Sequence, residues 1–223
     1  MNNAETVLIR DFQETEENVL YKVLKRSFDI VTALIAFVFL IPILVFLKIV
    51  FLISGDKEKM IFKQKRIGKN GELFNLYKVR SMVPNADEVL FQTLKMERVL
   101  EEEYKVNKKL KDDPRITKIG KVIRKLSIDE MPQVINILKG DMSFIGNRPY
   151  LPREIEDMGS YYDEIIKTKP GLTGYWQVNG RSNTTFKERL ELESYYSKHK
   201  SIKLDMKIFF KTFQVVLLKK GAK

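Results

Sequence analysis

The chain has no cysteine and only one histidine, His199, among its 223 residues. The first absence excludes disulfides, cysteine-ligated zinc and thiol nucleophiles; the second excludes a multi-histidine metal site. Any chemistry must therefore run on carboxylates, hydroxyls, lysines or arginines. No internal repeat and no long linker divides the sequence, so one ordinary domain plus a membrane element accounts for its length.

What is present is hydrophobic (44%) and charged (31%) in proportions that allow a packed core under a solvated surface. Wholesale disorder is excluded, because it requires too little apolar surface to offset chain entropy. The formal net charge of +11 implies an anionic partner: nucleic acid, a lipid headgroup surface or a phosphorylated substrate.

The hydrophobic segment chooses among these. From Ile30 to Leu47 the chain carries no charge, and after Lys48 it stays apolar through Ile53. Such a run reads as a membrane helix. Arg10, Asp11 and a run of glutamates before it argue against a signal peptide. Pro42 lies inside the segment, where it removes a backbone donor and crowds the carbonyl near Val38. Both flanks are basic: Lys22, Lys25 and Arg26 before, Lys48, Lys57, Lys59 and Lys63 after. The positive-inside rule puts each flank in the cytoplasm, which a single crossing cannot satisfy. A helix broken at Pro42 that re-enters from the same face does, and it is favoured over a kinked span. The arm before Pro42 is about 18 Å long, roughly half a bilayer core.

The expected organisation is an acidic arm (1–20), a re-entrant membrane helix (21–54) and a cytosolic domain (55–223). The fold class is mostly α with a few short strands, the strands falling within 60–82 around a turn from Gly68 to Gly71. Charged helix is expected over 85–111 and a second helical region from Lys118 to Leu138. A glycine-punctuated segment runs from Pro170 to Arg181, and helices resume at Thr185. Near the C-terminus, Lys203, Lys207 and Lys211 recur at helical spacing, with Leu204, Ile208, Phe209, Phe213 and Val216 on other faces. That pattern fits an interfacial amphipathic helix or a core helix with a lysine stripe.

Residues 124–149, RKLSIDEMPQVINILKGDMSFIGNRP, are the most informative. Ser127 and Glu130 have the spacing of a capping box, and Asp129 adds favourable charge at a helix start. Pro132 disturbs that turn. The adjacent carboxylates, bracketed by Arg124, Lys125 and Arg148, are alternatively placed to hold a divalent cation and phosphates.

This stretch resembles the bacterial sugar transferase family, the small monotopic phosphoglycosyl transferases. The resemblance is carried by Ser127, Asp129, Glu130, Pro132, Gln133, Lys139, Gly140, Asp141, Met142, Ser143, Gly146, Arg148 and Pro149. QKRIGKNGELFNLYKVRSM (64–82) and DPRITKIG (113–120) resemble two further family blocks, and the likeness runs from about Lys25 onward. Asn147 stands where the family usually has proline, a change expected to loosen that loop, and Ile41 precedes Pro42 where many members have serine. The large N-terminal membrane domain of some longer members is expected to be absent.

The resemblance implies transfer of a hexose 1-phosphate from a UDP-sugar to undecaprenyl phosphate on the cytoplasmic face of the bacterial cell membrane. Asp129 is implied as nucleophile, with Glu130 binding Mg2+ or assisting the incoming phosphate. Arg148 is the first candidate to grip the nucleotide phosphate, because a guanidinium matches phosphate oxygens. Lys78, Arg80, Arg115 and Arg124 follow, each with a structural salt bridge as the alternative. The block 169–183 resembles hexose-type members, which favours galactose or glucose over N-acetylated sugars; its bland alternative is a loop with Trp176 buried or at the interface. His199 reads as a surface residue. Membrane lipid is an expected partner, nucleic acid is not, and homo-oligomerisation is left open. The competing class is a membrane-tethered adaptor that binds polyanions without catalysis, which would have no use for the Asp129–Glu130 pair.

Overall fold

The computed structural model describes residues 19–56, 58–180 and 184–217. Most of the acidic arm, Lys57, residues 181–183 and residues 218–223 lie outside them, as do the side chains of Val216 and Leu217.

The chain is mostly helical, with four short strands among the described residues and one long apolar N-terminal helix. That helix, α1 (Val19–Ile53), has 35 residues and is about 50 Å long at 1.5 Å per residue. Helical conformation continues through Pro42, so the interruption expected there is not seen. Pro42 and Val38 both lie on the exposed side, where one lost hydrogen bond disturbs no packing. On the opposite side Leu40, Ile43, Leu44 and Leu47 hold the helix against the rest of the protein.

The contact runs the whole length of α1. Tyr21 and Lys25 bond to Asp205 near its start. Phe28, Ala33, Ala36 and Phe37 pack in its first half, Leu47 and Phe51 in its last. Its one buried carboxylate, Asp29, accepts hydrogen bonds from the Ser143 hydroxyl (2.9 Å) and the Phe144 N–H (2.8 Å). The other face is apolar and open: Leu34, Ile35, Val38, Phe39, Val45, Phe46, Ile49 and Leu52 are all exposed.

As expected from the turn signal, β1 (Ile61–Ile67) and β2 (Leu73–Val79) form an antiparallel hairpin closed by a 3-10 turn at Lys69–Gly71. Asn70 and Gly71 take positive φ there. Then come α2 (Ala86–Met96) and α3 (Arg98–Asn107), laced by exposed pairs such as Lys105–Glu101 at 2.6 Å. α4 (Lys118–Lys125) and α5 (Gln133–Lys139) replace the single helical region expected to end at Leu138. β3 (Ser143–Ile145) and β4 (Gly171–Thr173) pair in parallel across a crossover containing α6 (Ile155–Met158) and α7 (Tyr162–Ile165). Gly146, Gly171 and Gly174 sit backbone to backbone, so a Cβ at any of them collides with main chain.

The fold closes with α8 (Tyr175–Asn179), α9 (Phe186–His199) and α10 (Ile202–Leu217). Thr185 caps α9, its hydroxyl and Glu188 forming the reciprocal box. In α10, Ile208 is buried and Leu204 and Phe209 join a cluster with Phe28 and Phe144. That face is core, while Lys203, Lys207, Phe210 and Phe213 are exposed.

Candidate active site

Between α4 and α5 the backbone reverses at Ser127, whose φ of 57° is left-handed. An N-cap residue needs extended backbone, and the Ser127 side chain makes no capping bond. The capping box expected from Ser127 and Glu130 is therefore not formed, and the two carboxylates are not explained by helix initiation. They sit on a 3-10 turn, Ile128–Glu130, with Pro132 leading into α5. The φ of Pro132 suits a first helical turn, where its missing donor costs nothing.

The turn faces the hairpin. Asn136 of α5 accepts the Tyr77 N–H (3.1 Å) and donates to the Asn75 carbonyl (2.7 Å), docking β2 beside it. Lys78 then reaches Glu130 at 3.1 Å and Asp129 at 3.7 Å. Asp129 is buried and Glu130 half-exposed. Desolvation pushes the Asp129 carboxyl above its ordinary value; Lys78 opposes the rise and the Glu130 charge adds to it. Desolvation acts on Glu130 too, but Lys78, Arg148 and Arg66 outweigh it and hold that carboxyl below its ordinary value. Glu130 is thus kept ionised beside an aspartate that takes a proton more readily.

An arginine wall adjoins the turn, with the charges of Arg148 and Arg66 reaching Glu130. Arg66 of β1 shares the hairpin face of Lys78, since Phe62 pairs with Lys78 and Arg66 lies four residues on from Phe62. It donates to the Pro149 carbonyl (2.8 Å) and to Gln64 (2.6 Å). Burial first, and the like charge of Arg148 next, push it down to about 9, so it keeps its proton at neutral pH. Arg148 lies 6.0 Å from the Trp176 ring and Arg189 of α9 4.4 Å from it. The Trp176 N–H donates to the Thr184 hydroxyl at 2.8 Å. Arg66, Arg148 and Arg189 each have a buried Nε with no acceptor among the described residues. Buried donors without partners are costly and rare. Three together, with burial first and the charge of Arg148 next pushing Arg66 and Arg189 down, call for an anion with several oxygens.

Of the residues singled out from sequence, Asp129, Glu130, Lys78 and Arg148 are brought together. Arg124 is exposed on the last turn of α4, and only its field reaches Asp129. Arg80 and Arg115 take the structural alternative. Arg80 bonds Asp56 (2.7 Å) and the Lys59 carbonyl (3.0 Å) and stacks on Phe51. Arg115 forms a bidentate pair with Asp113 at 2.8 and 2.6 Å. His199 is exposed, stacked on Tyr195. Arg66 and Arg189 were not singled out: strand parity with Lys78 flags the first, and no local pattern flags the second.

Asn147 does not loosen its loop. It is buried, and its amide donates to the Ile165 carbonyl and the Thr168 and Ser197 hydroxyls. Among the described residues no group of three or more acidic, histidine or cysteine side chains could hold a metal. Two adjacent carboxylates, one held ionised, still fit magnesium, which commonly takes one or two carboxylates and completes its shell with phosphates and water.

A profile of the bacterial sugar transferase family matches residues 20–219. The UDP-galactose-lipid carrier transferase of Erwinia amylovora is 43% identical over 199 residues, 89% of this chain and 41% of that protein. The undecaprenyl-phosphate galactose phosphotransferase of Salmonella typhimurium is 41% identical over the same shares. This chain thus spans about two fifths of those two proteins' length. The exopolysaccharide production protein ExoY of Sinorhizobium fredii is 39% identical over 89% of this chain and 87% of its own. The match takes in α1, the carboxylate turn and the arginine wall together, and on it the chain belongs to the bacterial sugar transferase family.

Proposed function

We propose that this chain moves a hexose 1-phosphate, galactose or glucose, from a UDP-sugar to undecaprenyl phosphate, the priming step of exopolysaccharide or capsule assembly. The observation that carries this reading is the Asp129–Glu130 turn, bridged by Lys78 and within the field of Arg148 and Arg66, which with Arg189 have unpaired buried nitrogens among the described residues. A diphosphate supplies the oxygens those donors need. The names of the relatives, which include galactose phosphotransferase and UDP-galactose-lipid carrier transferase, support the donor and acceptor.

In the first step a carboxylate oxygen of Asp129 attacks the sugar-bearing phosphorus. The bond to the bridging oxygen breaks and UMP leaves, with Arg148 and Arg66 taking up its charge. In the second step a phosphate oxygen of the polyprenyl acceptor attacks the same phosphorus. The polyprenyl diphosphosugar forms and Asp129 is released as carboxylate. Lys78 offsets repulsion between the carboxylates and the incoming phosphates in both steps. Magnesium held by Glu130 and Asp129 would supply further charge neutralisation on the phosphates.

The domain (55–223) would sit on the cytoplasmic face, at the plane of the acceptor's headgroup, with α1 as a re-entrant anchor in the cell membrane. The packing supports the anchor, since residues on both sides of Pro42 rest on one body while the far face is apolar and open. A re-entrant course would need α1, helical through Pro42, to bend there in the membrane. With no native cysteine to remove, single cysteines at Lys22 and Lys59 test it. Both are expected to label from the cytoplasmic side; labelling from opposite sides would reject the re-entrant course.

The reaction itself is tested by UMP release from a panel of UDP-sugars with undecaprenyl phosphate and magnesium. Release with UDP-galactose or UDP-glucose, lost in Asp129→Asn, is expected. Silence across the panel from folded protein would favour a non-catalytic role.

A further inference from the structure

The unusual residue of the Gly146–Pro149 loop leads beyond the reaction. Three successive residues of this loop are tied down by different parts of the protein. The Asn147 amide donates to the Ile165 carbonyl (3.2 Å), the Thr168 hydroxyl (2.9 Å) and the Ser197 hydroxyl (2.7 Å), and its carbonyl accepts from the Gly171 N–H (2.7 Å). The Arg148 N–H donates to Glu193 at 3.0 Å. The Pro149 carbonyl accepts from Arg66 at 2.8 Å. Glu193 and Ser197 lie one turn apart on the buried face of α9. Every tie falls on backbone or on a neighbour of Arg148; the Arg148 Nε has no acceptor among the described residues. The loop is fixed while the guanidinium is left for a ligand, the condition for preorganised recognition.

We infer that Asn147, anchored by Ser197, and Glu193 are positioning residues that aim Arg148 at the donor's diphosphate. Asn147 does with hydrogen bonds what the ring of the family's usual proline does by restricting backbone. The inference rests on the proposed sugar-phosphate transfer and assigns new residues to its donor site.

The test is titration of UDP into the full chain in detergent with magnesium, with thermal melting of each variant alongside. Wild type is expected to bind, and Asn147→Ala to bind roughly tenfold more weakly, the cost of one misdirected charged hydrogen bond. Ser197→Ala is expected to weaken binding a few-fold, and Ser197→Thr, which keeps the hydroxyl, to restore it. In turnover the effect is expected in KM for the UDP-sugar more than in kcat. A lower melting temperature with unchanged UDP affinity would make these residues merely structural and overturn the inference. If Asn147→Ala does not fold, the two Ser197 variants decide in the same way. Folded wild type that binds no UDP would overturn this inference and the proposed function together.

Discussion

Two regions of this molecule bury charge, and they do so differently. Where α1 meets the domain, each buried carboxylate is answered. Asp29 accepts from Ser143 and Phe144, and Asp205 accepts from Tyr21, Lys25 and Tyr196. Around the Ser127 turn and the Gly146–Pro149 loop the balance is left open. Glu193 has an unpaired oxygen and three arginines have unpaired nitrogens among the described residues. Burying unanswered charge costs free energy that folding does not return. The satisfied region therefore reads as attachment and the unsatisfied one as a site awaiting a charged ligand.

The contrast breaks most sharply under substitution in the open region. Arg66→Ala is expected to cut UDP-sugar turnover by about a hundredfold, the scale of losing a charge-assisted contact of roughly 3 kcal/mol, while melting temperature changes little because relief of like-charge crowding offsets the lost bond to the Pro149 carbonyl. Steady-state kinetics and a thermal melt of the same preparation check this. A large stability loss with normal kinetics would place Arg66 among the structural arginines, with Arg115.

The closed region should respond in the opposite sense. Asp29→Ala leaves the Ser143 hydroxyl and the Phe144 N–H without their acceptor and is expected to cost about 1–3 kcal/mol of stability. Turnover per folded molecule should stay near wild type. Denaturant unfolding in micelles measures the first and active-site-normalised UMP release the second.

The smallest effect concerns Glu193, whose surroundings include Arg148, Arg189 and Tyr150. Burial pushes its carboxyl up to about 7, against an ordinary value of 4.5. The folded chain thus holds a proton that the unfolded chain gives up. The stability this confers is complete below about 4.5 and is lost as pH rises through about 7. Glu193→Gln keeps an acceptor for the Arg148 N–H but cannot ionise. Its melting temperature should fall less than that of wild type between pH 5 and pH 8. Parallel slopes would mean that Glu193 does not titrate in this range.

Much of the fold could be read from sequence because its signals are local. The Gly68–Gly71 turn announced the hairpin, Thr185 announced the start of α9, and the apolar run announced α1. The open region was legible only as chemistry. Motif residues named Asp129, Glu130 and Arg148, but pattern alone made Ser127–Glu130 a capping box, because spacing carries no record of the left-handed backbone at Ser127. Nor could it choose between phosphate and salt bridge for Lys78, Arg80 and Arg115, whose partners are fixed by tertiary packing. Asn147 shows the limit most plainly: the carbonyl and two hydroxyls that accept from its side chain lie 18, 21 and 50 residues away in sequence, and only the folded chain makes it an anchor.

The most direct measurement is the intact mass of the protein after incubation with UDP-galactose or UDP-glucose and magnesium, with no polyprenyl acceptor present. Wild type should gain the mass of one hexose phosphate, lose it again when undecaprenyl phosphate is added, and show no gain as Asp129→Asn. UMP release with no mass gain in wild type, or an equal gain in the variant, would contradict Asp129 as the nucleophile at the centre of this site.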